Sequence, residues 1–141
     1  MIEHILLGVD GSQHGRAALQ WTLQLAELTG SRVTVVCAFD EPWSFHRAAR
    51  SIVDGPPDEL EDEARQIAAE AAGALTAAGL SCEPIAFEGT FVQAVLSLSG
   101  QERPDLVVVG SGGEASARAH LLGSTAERVV RMSPVPVLVV R

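Results

Sequence analysis

Residues 105–131 read DLVVVG, then SGGEASARAHLL, then GSTAERVVR, and this stretch constrains the chain most. Leu106, Val107, Val108 and Val109 form an unbroken apolar run, the pattern of a parallel strand covered on both faces. The run stops at Gly110, a glycine-rich loop follows, and Gly123, Ser124 and Thr125 open a helix reaching Met132. A strand, a glycine-rich loop and a helix N-terminus make an anion cradle. Glycines let the backbone approach a phosphate, while free N–H groups and the helix dipole supply partial positive charge. The loop is therefore expected to hold the phosphates of a nucleotide. The rest of the chain then builds the platform and the other wall of the pocket.

The remaining segments alternate between strand and helix patterns. Residues 4–9 (HILLGV) form a short apolar strand, broken by Asp10, Gly11 and Ser12, where Ser12 caps the next helix. Ala18, Trp21, Leu25 and Leu28 recur at helical spacing and predict one buried stripe, with Trp21 in the core. Gly30 ends that helix. Residues 32–39 (RVTVVCAF) form a second, β-branched strand. Residues 40–58 hold Pro42, Gly55, Pro56 and Pro57 and read as a loop or lid, with Trp43, Phe45 and Ile52 available for packing.

A long helix over 58–78 turns Ala64, Ile67, Ala71, Leu75 and Ala78 inward, and Gly79 closes it. Its acidic start (Asp58, Glu59, Glu61, Asp62, Glu63) reads as a solvated face favoured by the helix dipole rather than a cation site. Residues 81–88 (SCEPIAFE) form a third strand, which Pro84 assigns to a sheet edge. Thr90 and Gln93 match a capping box for a short helix with Val92 and Val95 inward. Pro134 and Pro136 stop the last helix and lead into a final strand, Val137–Val140. The order β-α-β-α-β-α-β-α-β implies right-handed crossovers and a doubly wound parallel α/β sheet. One domain over residues 1–141 is expected.

Composition narrows the partners. A net charge of −8 argues against nucleic acid and anionic membrane surfaces, which need a basic face. No apolar run approaches the roughly 20 residues of a membrane span, and the N-terminus lacks the basic start and cleavage site of a signal peptide. Cys37 and Cys82 have neither CxxC spacing nor clustered histidines, so they read as reduced core thiols of a cytoplasmic protein, not metal ligands.

In open parallel sheets, ligands bind beyond the carboxyl ends of strands, where the strand order reverses. With the first and fourth strands adjacent there, Asp10 faces the loop after Gly110. It can accept hydrogen bonds from ribose hydroxyls or an adenine amine. The spacing Gly110-x2-Gly113-x9-Gly123-Ser124, followed by a terminal PVLVV strand and preceded far upstream by ILLGVDGS, resembles the universal stress protein family over nearly the whole chain. That resemblance implies a five-stranded sheet of order 3-2-1-4-5, adenine-nucleotide α-hydrolase-like, usually dimeric, from the ATP-binding branch of the family. Carried over by residue, it implies that Gly8, Val9 and Ala38 frame the adenine and that Asp10 contacts the adenosine. Val109 and Gly110 would lie by the ribose, and Gly113, Gly123, Ser124 and Thr125 would hold the phosphates. Two positions depart from the family pattern: Gly112 replaces a larger residue, and Thr125 replaces a valine and brings a hydroxyl within reach of a phosphate or a bound Mg²⁺.

Plainer roles compete at several positions. Gly110 and Gly113 can serve only a tight turn. Ser124 and Glu127 match an S-x-x-E capping box, and Asp10 can simply order the turn after its strand. Arg118 and His120 can neutralise phosphate charge or lie on a solvated loop, and His14 reads as surface. The segment from Ser111 to Ser116 echoes a pyrophosphatase loop, but it follows the wrong strand and carries Ala115 where that loop has aspartate. No Walker lysine is present to stabilise a transferring phosphoryl group. The expected function is an ATP-binding regulatory module, with a nucleotide-free interaction protein and a slow ATPase as alternatives. The all-apolar last strand, with no helix after it, predicts a homodimer through that edge.

Overall fold

Successive side chains along a strand point to opposite faces, and here both faces carry apolar residues. In the computed structural model, which describes residues 1–39, 59–112 and 122–141, the result is a five-stranded parallel sheet. Its strands are β1 (His4–Gly8), β2 (Arg32–Phe39), β3 (Cys82–Glu88), β4 (Leu106–Gly110) and β5 (Val137–Val140). The helices are α1 (Gln13–Thr29), α2 (Glu59–Ala77), α3 (Phe91–Glu102) and α4 (Ser124–Met132). The strand order is β3-β2-β1-β4-β5, as the family resemblance implied. β1 and β4 are central neighbours, with Ile5, Leu6 and Leu7 opposite Leu106, Val107 and Val108. The expected lid at 40–58 lies outside the described residues, as does the loop at 113–121.

Alternation sorts the core into two layers. Ile5, Leu7, Val33, Val35 and Val108 pack with the buried residues of α1 and α2. Leu6, Val36, Val107 and Val109 pack with those of α3 and α4 on the other face. Each such burial is worth about 1.5–3 kcal/mol. Both faces of the sheet are therefore covered, which fixes where each strand ends.

The sheet-facing stripe of α1 differs from the expectation. Gly15, Ala18, Thr22 and Ala26 are buried, whereas Trp21 is 53% and Leu28 84% exposed. Small residues let the helix lie close to a Val- and Leu-rich sheet; Trp21 and Leu28 turn outward, while Leu25 of the expected stripe, with Leu19 and Leu23, packs part-buried against the core. Thr22 tolerates full burial because its hydroxyl donates to the Ala18 carbonyl at 2.8 Å. In α2 the same preference adds Ala68 and Ala72 to the inner face and leaves Ala78, past the helix end, exposed. Glu61 in its acidic first turn pairs with Arg65. Cys37 is buried and free, and burial pushes its thiol up to about 11, with the Asp10 and Glu63 carboxylates adding to the shift. Cys82 is only half-buried.

A polar cluster closes the sheet at the end opposite the strand C-termini. The Asp105 carboxylate accepts the Glu3 and His4 N–H groups at 2.9 and 3.0 Å, which holds it below the usual carboxylate range. His4 is 4% exposed, and its Nε2 lies 2.7 Å from Thr34 Oγ1, while Thr34 donates to Glu102 Oε2 at 3.1 Å. Burial lowers the His4 pKa, and the nearby Arg32 lowers it further.

Candidate functional site

The carboxyl ends of β1, β2 and β4 open into a cleft of about 480 Å³. That volume lies within the roughly 300–1,000 Å³ of small-molecule sites. Its lining includes Gly8, Val9 and Asp10 after β1, Ala38 on β2, Val109 and Gly110 on β4, and Gly123, Ser124 and Thr125 at the start of α4. These are all the candidate site residues except Gly113, which lies outside the described residues together with Arg118 and His120.

Three helices begin near this cleft, and their caps differ. Ser12 Oγ accepts the Gly15 N–H at 3.2 Å and caps α1. Thr90 and Gln93 form a reciprocal capping box on α3, with bonds of 3.1 and 2.9 Å. The cap of α4 is Gly123, and among the described residues no side-chain hydrogen bond caps that helix. The competing S-x-x-E box is not formed among the described residues: Ser124 is already the first helical residue, one position too late to cap, and Glu127 pairs with Arg131 at 2.8 Å instead. The first N–H groups of a helix have no intrahelical partner. Ser124, Thr125 and Ala126 line the cleft, so the open dipole end of α4 faces it.

The stem of the glycine loop is tied on both sides. Ser111 donates its N–H to the Val140 carbonyl at 2.8 Å, and its own carbonyl accepts the Gly123 N–H at 2.6 Å. Gly112 has φ of 114°, a conformation that side chains rarely adopt, which explains a glycine where the family pattern has a larger residue.

Gly8 and Gly110 have a simpler origin than ligand access. A Cβ on Gly110 would lie 2.7 Å from the His14 carbonyl carbon and oxygen, so the missing side chain lets α1 sit against β4. A Cβ on Gly8 would lie 2.3 Å from Phe91 Cζ, so the Phe91 ring covers the end of β1. Asp10 is exposed, and its Oδ1 accepts the Ser12 N–H at 2.9 Å, ordering the turn into α1. No hydrogen bond to its other carboxylate oxygen is present among the described residues.

The universal stress protein family profile matches residues 1–141, the whole chain. The chain belongs to the universal stress protein family. A relative from Thermus aquaticus, the universal stress protein in the QAH/OAS sulfhydrylase 3′ region, is 33% identical over 141 residues and is matched over 100% of both chains. Among solved structures, hypothetical protein MJ0577 superposes with a TM-score of 0.84 at 25% identity, over 99% of this chain and 96% of that one. A universal stress protein solved in complex with cAMP superposes with a TM-score of 0.70 at 26% identity, over 99% of this chain and 97% of that one.

Within this universal stress protein, some cleft residues escape a reading of the sequence. His14, read as surface, is half-buried and lines the cleft. Thr90 and Phe91 line it too, although nothing local marks them beyond the capping box. Gly8 beside a bulky α3 residue was the available signal, but the pairing exists only once the sheet order is known. Among the described residues, no helix is long and apolar enough to cross a membrane.

Proposed function

We propose that the cleft binds ATP and that the protein is a single-domain, cytoplasmic regulatory module whose nucleotide occupancy is read by its partners. The start of α4, uncapped among the described residues, carries this reading, because its first N–H groups lack intrahelical partners and face a cleft of nucleotide size, while both other helix starts there are capped. The complex of a related universal stress protein with cAMP supports an adenine nucleotide. The base would lie by Gly8, Val9 and Ala38, and the ribose by Asp10, Val109 and Gly110. The phosphates would lie on Gly113, Gly123, Ser124 and Thr125, with the Thr125 hydroxyl available to Mg²⁺. Second copies would pair through β5, the apolar edge of the sheet.

Acid release of nucleotide from the purified protein, identified by mass, is expected to yield ATP. Calorimetric titration of stripped protein is then expected to show one site. Gly113→Val should abolish that binding with little change in the melting curve. Stripped protein that takes up no adenine nucleotide would remove the proposal and leave an interaction scaffold. Phosphate release measured with and without Mg²⁺ decides the slow-ATPase alternative.

A further inference from the structure

The cleft holds a titratable side chain that the nucleotide assignment does not use. His14 stands in the first turn of α1, where the close approach of its backbone to Gly110 fixes its position. The ring reaches Ser111, with Nδ1 3.5 Å from Oγ. The Ser111 carbonyl accepts the Gly123 N–H, and Gly123 opens α4. Two contacts therefore place the imidazole beside the uncapped helix start. Nδ1 faces Ser111, and Nε2 has no hydrogen-bond partner among the described residues.

Among the described residues, the charged groups on the surrounding elements are few. Asp10 is the one acidic residue of the described lining, and its Oδ1 is engaged by the Ser12 N–H. Arg16, also on α1, donates to the Gly11 carbonyl. On α4, Glu127 and Arg131 pair with each other, and Arg128 is exposed. β4 through Gly112 carries no charged side chain, and β5 has none before the exposed Arg141.

We propose that His14 is a proton-coupled phosphate contact. Its imidazole takes a proton from solvent and donates it in a hydrogen bond from Nε2 to a phosphate oxygen of a nucleotide seated on α4. Phosphorylated ligands then bind more tightly as pH falls, and the nucleoside does not. Imidazole as a class changes charge near neutral pH, which sets the pH interval of the test below. A charge-assisted hydrogen bond in place of a neutral one raises affinity by about fivefold.

This inference rests on the nucleotide reading, and one experiment separates the two. The full chain, stripped of nucleotide, is titrated with ATP and with adenosine in EDTA, at about pH 8 and about pH 6, as wild type, His14→Gln and His14→Arg. The terminal phosphate of the ligand itself titrates with a pKa of about 6, so the readout is the difference between wild type and His14→Gln. Wild type is expected to gain about fivefold more affinity for ATP on acidification than His14→Gln, with adenosine unaffected in both. His14→Arg is expected to keep the tighter ATP binding at the higher pH. ATP binding whose pH profile is the same in wild type and His14→Gln overturns the role of His14 alone. A wild type that binds ATP at neither pH overturns the nucleotide reading as well.

Discussion

Replacing Gly8 with alanine tests whether this glycine serves the ligand or the protein's own packing. The added Cβ would sit 2.3, 2.6 and 2.9 Å from three carbons of the Phe91 ring. Carbon atoms pack at about 3.5–4.0 Å, so the ring must retreat by about 1 Å or more. Phe91 is half-buried against the core layer under α3 and α4, and that retreat pulls it from its neighbours. Overpacking of this kind costs about 1–3 kcal/mol. Alanine in place of glycine in a strand returns about 0.5–1 kcal/mol of backbone entropy. The net loss is about 0–2.5 kcal/mol, centred near 1 kcal/mol, which lowers the melting temperature by about 3–4 °C for a chain of this size.

The second arm is Phe91→Ala, which costs about 2 kcal/mol, roughly half the loss for a fully buried ring. In the double variant the new methyl has nothing to strike. Its stability should exceed that of Phe91→Ala alone by about 0.5–1 kcal/mol of backbone entropy, so the coupling between the two sites equals the relieved overpacking, about 1–3 kcal/mol. Urea denaturation followed by circular dichroism measures this, with an unchanged m-value showing that the unfolding reaction is the same. Strict additivity would refute the claim that Phe91 makes residue 8 a glycine. Gly110→Ala offers the contrast: its Cβ would meet main-chain atoms of His14, which no side-chain truncation relieves.

Two further outcomes are expected. Burial lowers the pKa of His4, so the folded state disfavours its proton; stability is fully present above about pH 6.5 and is lost as pH falls through the folded value. Urea midpoints between about pH 7 and pH 5 should fall in wild type, and the slope should flatten in His4→Gln. Trp21→Ala should cost about 1–2 kcal/mol, because the residue is 53% exposed; a core-sized loss of about 3–5 kcal/mol on chemical denaturation would contradict the placement of α1.

The strands and their layering are legible in the sequence because β-branched runs such as RVTVVCAF leave few alternatives. Pro84 likewise marks β3 as an edge, since proline cannot serve a central ladder. The face of α1 is not legible in the same way. Hydrophobicity favours Trp21 and Leu28, but the distance to the sheet favours Gly15, Ala18, Thr22 and Ala26, and that distance is a tertiary quantity. The site divides similarly. Its glycines and Asp10 announce themselves by pattern, while His14 and Phe91 enter the cleft through contacts with Gly110 and Gly8 that span 96 and 83 residues of sequence (110 − 14 and 91 − 8).

The two sheet edges are not equivalent, and the difference bears on assembly. β3 carries Glu83, Pro84 and Glu88, a combination that discourages a further strand. β5 reads VLVV and has no such guard. Its carbonyls at Pro136 and Val140 accept from Val107 and Ser111 of the β4 side. By alternation, the N–H groups of Val137 and Val139 face the open edge. Val139→Pro therefore removes an outward donor without breaking a bond to β4, a position where proline is tolerated. Sedimentation equilibrium should show a dimer for wild type and a monomer for Val139→Pro, with both still folded by circular dichroism. A variant that remains dimeric would place the contact elsewhere, and a monomeric wild type would end the dimer reading. The same edge reaches the cleft, because the Val140 carbonyl holds the Ser111 N–H while the Ser111 carbonyl holds Gly123. A ligand that shifts the start of α4 thus pulls on β5 through one buried serine, 4% exposed. Nucleotide and partner strand would be linked along that path, and ATP should tighten or loosen the dimer rather than leave it unchanged.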